Sequence, residues 1–330
     1  MTLELKNIGM IKEANVKIDG LTVIAGENDT GKSTVGKAFY VVLKSLEKTY
    51  SNEIMDNKAN DFIDYINSSF SKIFKKYPFP KNAFLSFKEE EYYASINRDS
   101  SSILSNLSDN PYMKKDIIFM ETPLVWNFSK FFRDIALVES QMNIEVDYPP
   151  FMKDLNFKLF IKNASNGIDI RDKMISLMGG QFEQDERGDF FFNKNGKRIE
   201  LENTSTGIKQ FGIFQVLSQN NYLNENTILV LDEPEVHLHP KWQLEMAKII
   251  VELVKNGVKI VVNSHSPYMI EALERYAEKA EVPADFYLAE DGFIDKIEDN
   301  NSKTLAKIFN KLSAPYETFN QMDSETLKGG

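Results

Sequence analysis

The spacing of apolar positions changes several times along the chain, and each change marks an element. Leu3 to Ile8, Ala14 to Ile18 and Leu21 to Ala25 are short extended pieces separated by glycines and charges, the pattern of strands joined by turns. From Lys32 to Leu46 the apolar residues fall at Val35, Ala38, Phe39, Val42 and Leu46, spacings of three and four that give a helix one buried face. Asp61 to Tyr77 repeats that spacing, Ala83 to Asn97 reads as two strand pieces, and Ser100 to Asp109 as a short helix before Pro111. Asp116 to Met120 is an apolar strand ending at Glu121-Thr122-Pro123. Helical sequence follows to about Gln141, and Pro149-Pro150 marks a break.

Asp189 to Leu201 reads as a hairpin that turns at Asn195-Gly196, a pair that accepts positive φ at little cost. A helix is expected from Thr206 to Ser218. Thr227 to Leu231, Lys241 to Lys255, Val258 to Asn263 and Ser266 to Ala277 then alternate strand, helix, strand, helix. Pro240 stands at a helix start, where its missing N–H costs nothing. This alternation predicts a parallel sheet covered by helices. Asp295, Glu298 and Asp299 read as a solvated loop, and the polar tail after Ala314 reads as loose.

Composition narrows the chemistry. A length of 330 residues allows one large domain or two small ones. Cysteine is absent, which excludes disulfide scaffolds, thiolate zinc sites and cysteine nucleophiles. The net charge of −10 argues against a surface that binds nucleic acid throughout. A local basic groove stays open, with Lys72, Lys75, Lys76 and Lys81 as its candidates. No window approaches 18 consecutive apolar residues and the first residues lack a signal-peptide pattern, so the expectation is a cytoplasmic protein with no membrane segment.

Gly26-Glu27-Asn28-Asp29-Thr30-Gly31-Lys32-Ser33 matches G-x-x-x-x-G-K-[ST] in full, between an apolar strand and an amphipathic helix. Gly26 and Gly31 let the backbone curl so that successive N–H groups, those of Asn28, Asp29 and Thr30 among them, point at phosphate oxygens. Lys32 would reach the β- and γ-phosphates of ATP, the Ser33 hydroxyl would ligate Mg²⁺, and Thr34 continues the cradle into the helix N-terminus. Four apolar residues, Ile228 to Leu231, precede Asp232-Glu233. A buried strand would present both carboxylates at its carboxyl end, Asp232 toward Mg²⁺ and Glu233 toward the attacking water. One strand later, His265 in Asn263-Ser264-His265-Ser266-Pro267 is placed to sense the γ-phosphate. His237 and His239 form an H-x-H pair that Glu235 could join, but with cysteine absent and His265 otherwise placed they read as structural or subunit-contact residues rather than a metal site.

Asn203-Thr204-Ser205-Thr206-Gly207-Ile208-Lys209-Gln210 lies just before the acid-pair strand and opens a helix. Here the chain resembles the ABC-type ATPases of the RecF/SMC/OLD-like group, whose signature is similar to Leu-Ser-Ser-Gly-Glu-x-Gln. Ser205, Thr206, Gly207 and Gln210 match it, while Thr204 and Ile208 replace the usual leucine and glutamate. The segment Asp232 to Pro240 resembles the same part of OLD-like bacterial ATPases. Glu121 stands where the family places its Q-loop glutamine, as a further candidate on the metal side.

The resemblance implies an α/β fold: a P-loop NTPase of the ABC-head type, with a mixed sheet flanked by helices and an inserted, mainly helical subdomain. The ATPase domain would comprise 1–45 and 116–330, and a lid or partner-binding insertion 46–115. It implies that ATP and Mg²⁺ are bound and ATP hydrolysed, with Lys32, Glu233 and His265 catalytic. Ser205 and Gly207 would contact ATP held by a second copy, in a homodimer or higher oligomer. About 65 residues follow His265, too few for an OLD-type nuclease domain, and no SMC-type coiled coil is present. The resemblance therefore implies a stand-alone subunit that serves a separate effector, such as a nuclease or toxin of anti-phage defence. A RecF-like DNA repair or replication ATPase, an ATP-bound scaffold that hardly hydrolyses, and a transporter subunit remain the alternatives.

Overall fold

The structure is a computed structural model that describes residues 1–51, 58–74, 82–89, 92–97, 102–105, 115–144, 146, 148 and 150–328. The three expected amino-terminal strands are β1 (Thr2–Ile8), β2 (Ile11–Lys17) and β3 (Leu21–Ala25), and the helix after them is α1 (Lys32–Ser51). Then come α2 (Lys58–Phe74), β4 (Phe84–Glu89), β5 (Tyr92–Asn97), β6 (Ser102–Ser105) and β7 (Asp116–Met120). A 3-10 turn over Pro123–Phe128 leads into α3 (Ser129–Met142), α4 (Pro150–Phe160) and α5 (Arg171–Met178). β8 (Gln181–Gln184), β9 (Phe190–Lys194) and β10 (Lys197–Glu200) form a small separate sheet. The chain continues through α6 (Thr206–Gln219), β11 (Thr227–Asp232), α7 (Pro240–Lys255), β12 (Lys259–Ser264) and α8 (Pro267–Ala280). It ends with β13 (Ala284–Glu290), β14 (Phe293–Asp295) and α9 (Asn301–Lys328).

The large sheet has 11 strands in the order β6-β5-β4-β1-β2-β14-β13-β3-β12-β11-β7. From β13 to β7 every neighbour is parallel, and the wing from β6 to β2 is antiparallel. Period-two alternation inside the parallel strands feeds two cores. Leu229, Leu231, Ile260 and Val262 face a core shared with Phe211, Ile250 and Met269, whereas Ile228, Val230 and Val261 face one shared with Phe39, Val42 and Phe119. The hairpin turns where expected: Asn195 and Gly196 both have positive φ, 53° and 78°.

Several expectations need correction. Within segment 46–115 the described residues hold the end of α1 and α2, and beside these helices three strands. Leu85 and Phe87 are buried while Lys88 is exposed, a strand alternation, and β4 pairs with the otherwise open side of β1. Ser102–Ser105 lies in the stretch expected to be a helix, but the edge of β5 offers it a ladder and it pairs there as β6. Pro149-Pro150 does not merely break the chain, since Pro150 opens α4, with Phe151, Leu155 and Leu159 buried at spacing four. Beyond Ala280, Phe286 to Ala289 form a fully buried strand beside β3, and Asp295 closes β14. After Ala314 the backbone of α9 continues as helix to Lys328. Of the four basic-groove candidates only Lys72, in α2, lies within the described residues. Among the described residues no helix is long and apolar enough to cross a membrane.

Candidate functional site

Parallel register brings the strand ends level. Ala25 pairs with Ser264, Asn263 with Asp232, and Leu231 with Met120. The segments leaving β3, β12, β11 and β7 therefore meet along one edge, the edge at which open α/β sheets hold ligands. These segments carry the glycine-rich loop, His265, Glu233 and Glu121 in turn.

The loop 26–33 has the backbone its sequence asks for. A Cβ on Gly26 would stand 2.3 Å from the Ala289 carbonyl oxygen, so only glycine fits against β13. Gly31 has φ +94°, a region closed to ordinary side chains. The Thr30 hydroxyl donates to the Glu27 carbonyl at 2.9 Å, and the Thr34 N–H donates to the Gly31 carbonyl at 3.0 Å. Asn28 and Asp29 are exposed at the crest, Asp29 with φ +64°. Lys32 is 4% exposed and folds back onto its own loop, donating to the carbonyls of Gly26 at 2.9 Å and Glu27 at 2.5 Å. Burial lowers the Lys32 pKa, while Glu233, Asp232, Glu235 and Glu27 pull it back up.

Asp232 ends β11 and is 6% exposed. Its Oδ1 accepts from the Ser33 hydroxyl at 3.0 Å and from the Asn263 amide at 2.8 Å. Burial raises its pKa, and these two hydrogen bonds oppose the rise. Glu233 takes φ +52°, a left-handed conformation that costs a non-glycine residue about 1–2 kcal/mol. Its N–H still donates to the Asn263 carbonyl at 2.9 Å, extending the ladder by one bond beyond the strand. The conformation turns the side chain to the next loop, where Glu233 Oε1 is 3.2 Å from His265 Nδ1.

A cavity of about 350 Å³ adjoins these groups, lined by Ser33, Glu121, Gln210, Asp232, Glu233 and His237 among others. Lys37 on α1 donates to Glu121 at 3.0 Å. The charge balance suits a magnesium nucleotide. The buried Lys32 ammonium is held by carbonyls rather than a carboxylate, which suits an anion, and three carboxylates, Glu121, Asp232 and Glu233, line the cavity with Ser33, which suits a divalent cation.

Ser205 and Gly207 do not line this cavity. Ser205 caps α6, its hydroxyl accepting from the Ile208 N–H at 3.4 Å, and the Gly207 position packs against Leu238 and Trp242. Gln210, one turn further along α6, is the residue of that segment that lines the cavity, and it donates to the Pro234 carbonyl at 2.7 Å. His239 caps α7, Nδ1 accepting from the Lys241 N–H at 3.3 Å, and His237 has φ +65°. The described residues hold no group of three or more His, Cys, Asp or Glu arranged for a metal ion. Sequence reasoning weighed Glu235 only as a companion ligand to His237 and His239, whereas it is 4% exposed and accepts from the Ser264 hydroxyl at 2.6 Å and from the N–H groups of His265 at 2.9 Å and Ser266 at 3.2 Å. Its one visible signal was a third carboxylate three residues after Asp232.

Known proteins similar to this chain fall in one group of ATPases by family model and in sequence. A family described as "AAA domain, putative AbiEii toxin, Type IV TA system" matches residues 21–271. The chain is 23% identical over 302 residues to the Septu protein PtuA of Bacillus thuringiensis, covering 82% of this chain and 72% of that one. Among solved structures, an Smc head domain bound to the C-terminal domain of ScpA derived from Pyrococcus furiosus aligns over 93% of this chain and 98% of that chain, with 15% identity and a TM-score of 0.48. An ATP-binding cassette of an ABC transporter in its ADP conformation aligns over 96% of both chains, with 14% identity and a TM-score of 0.38. The family match spans more than half of the chain and contains the loop, the acid pair and His265, so the chain belongs to this AAA-domain family and is a P-loop ATPase.

Proposed function

We propose that the chain is a switch subunit that closes as a homodimer around ATP and controls or scaffolds a separate effector, a nuclease or toxin, in anti-phage defence. The observation that carries the enzymatic half is one continuous set of contacts. Ser33 and Asn263 meet on Asp232, and Glu233 meets His265, so three segments distant in sequence converge at one strand edge. The family description and the likeness to a Septu protein support the defence setting.

In this reading the N–H groups of the 26–34 loop and the Lys32 ammonium hold the phosphates of ATP. Ser33 and Asp232 would hold Mg²⁺, with Glu121 at the outer side of the cavity. Mg²⁺, when bound, supplies charge neutralisation at the phosphates. Glu233 accepts the proton of the attacking water, and His265 reports the state of the γ-phosphate across the 3.2 Å contact. Replacing Glu233 by Gln keeps the shape and removes the base. Turnover should fall about 100-fold or more, and ATP should trap the closed dimer.

Ser205, exposed at the start of α6, and Gly207 lie outside the cavity lining and fit a role toward the nucleotide of the second copy. Mixing two inactive variants, Lys32→Ala and Ser205→Arg, tests the shared site. A mixed dimer contains one intact site, so turnover should reappear on mixing. If the mixture stays as inactive as its parts, the shared site is wrong. Association of the ATP-loaded protein should be read by sedimentation, with the separate effector added as a second component.

A further inference from the structure

We propose that Glu235 is a positioning residue for hydrolysis, holding the Ser264–His265–Ser266 turn so that the His265 ring stays against Glu233. This rests on the reading that the site hydrolyses ATP through Glu233 and His265. One oxygen of Glu235, Oε1, accepts from three consecutive residues: the Ser264 hydroxyl, the His265 N–H and the Ser266 N–H, at 2.6, 2.9 and 3.2 Å. The same oxygen lies 3.6 Å from His265 Nδ1, so the carboxylate that grips the histidine's backbone also borders its ring. Ser266 in turn caps α8, which fixes the far end of the turn to a helix.

Packing alone does not account for this side chain. Glu235 Oε2 is buried without a hydrogen-bond partner, and desolvating a carboxylate this far is expensive when an apolar residue of similar size fills space at no such cost. Its compensation comes from the histidine turn, the Ser264 hydroxyl first, and from the N–H of Glu235 itself. On the other side, the Glu233 N–H is tied to the Asn263 carbonyl, and the Pro234 carbonyl accepts from Gln210. The acid-pair turn and the histidine turn are thus joined through Glu235. The side chains that would meet water and phosphate stay accessible, Glu233 at 34% and His265 at 38% exposure. Glu235 itself, with 3% of its side chain exposed, acts through the ring it holds.

The test compares kcat, KM, nucleotide Kd and thermal melting for the full chain and the variants E235A, E235Q, S264A, H265A, E235A/H265A and S264A/H265A. E235A should lower kcat about 10- to 100-fold, with KM and nucleotide Kd within about threefold, as expected for a group that orients a catalytic side chain. E235Q keeps an acceptor for the three donors and should recover most of the rate. S264A removes one donor and should cost a few-fold. In the H265A background neither E235A nor S264A should slow turnover further, because the ring through which they act is gone. Additive losses in the double variants, or an E235A defect confined to KM, would overturn the proposal. If E235A unfolds at the assay temperature, S264A with S264A/H265A gives the same reading. A wild-type chain with no turnover would remove this proposal and its parent together. Turnover with additive variants would remove this one alone.

Discussion

The molecule buries charge at both ends of its parallel strands, and the two ends are built on opposite rules. At the amino-terminal end of β7, Lys158 lies 3.2 Å from Asp116 and 2.8 Å from Asp154, and Lys44 lies 3.2 Å from Asp154 and 3.7 Å from Asp116. Two ammoniums face two carboxylates, with the half-exposed Glu47 as an outer partner for Lys44 at 2.7 Å. Burial alone would drive the Lys44 pKa down, but Asp154, Asp116 and Glu47 outweigh it and hold the ammonium charged. At the carboxyl end, Lys32 has carbonyls for partners, while Asp232, Glu233, Glu235 and Glu121 outnumber the nearby lysines. A balanced cluster joins α1, α4 and β7. An unbalanced one keeps its remaining affinity for something else, which is the physical mark of a site.

The largest expected effect breaks the two ends apart. Lys32→Ala removes a buried ammonium that has no carboxylate partner. ATP turnover should drop more than 100-fold, as expected when a phosphate clamp is lost, while the urea midpoint stays level or rises, the usual exchange of activity for stability at a site. Lys158→Ala should do the reverse. It leaves Asp116 and Asp154 short of a buried cation and should cost about 3–5 kcal/mol of stability, with turnover per folded molecule unchanged. Urea unfolding and phosphate release on the same samples decide the matter. If Lys158→Ala lowers turnover at full occupancy of the fold, the balanced cluster is not merely structural.

The two ends also differed in how far they could be read from sequence. The loop 26–33, the acid pair 232–233 and His265 announce themselves because phosphate and carboxylate chemistry needs particular residues at fixed positions next to strands, and the helices and strands around them are strongly periodic. The balanced cluster gives no such signal: Lys44, Asp116, Asp154 and Lys158 are ordinary charges in sequence until α4 folds across β7. α4 itself was obscured by Pro149-Pro150, where a helix start and a chain break look alike. Ser102–Ser105 was read as helix because a short strand at a sheet edge is decided by the partner it finds, and β5 provides that partner. Glu235 was hidden for a related reason, since its meaning lies in three donors that arrive from 31 residues downstream at most, across a strand crossover.

The smallest effect concerns a third group of charges, exposed rather than buried, and it sharpens the comparison by showing what ionic contacts do without desolvation. Glu290, at the end of β13, accepts from Lys311 at 2.6 Å and Lys307 at 2.9 Å on α9. Hydrogen bonds from Lys311 first and Lys307 second hold its carboxyl down at about 2, against an ordinary value of 4.5. A depressed carboxyl contributes in full above the unfolded value and loses its contribution as pH falls toward the folded one. The difference in stability between the wild type and Glu290→Gln should therefore be present at pH 7 and shrink as pH drops below 4.5. Because these side chains are solvated, that difference should be no more than about 1 kcal/mol. Raising salt should shrink it as well, whereas the effect of Lys158→Ala should barely respond. Lys311 also lies 3.9 Å from Glu27 of the phosphate loop, so turnover is the discriminating readout. Turnover within twofold of wild type assigns α9 to anchoring alone. A tenfold loss would make α9 part of the loop's support and would extend the unbalanced end of the molecule to its last helix.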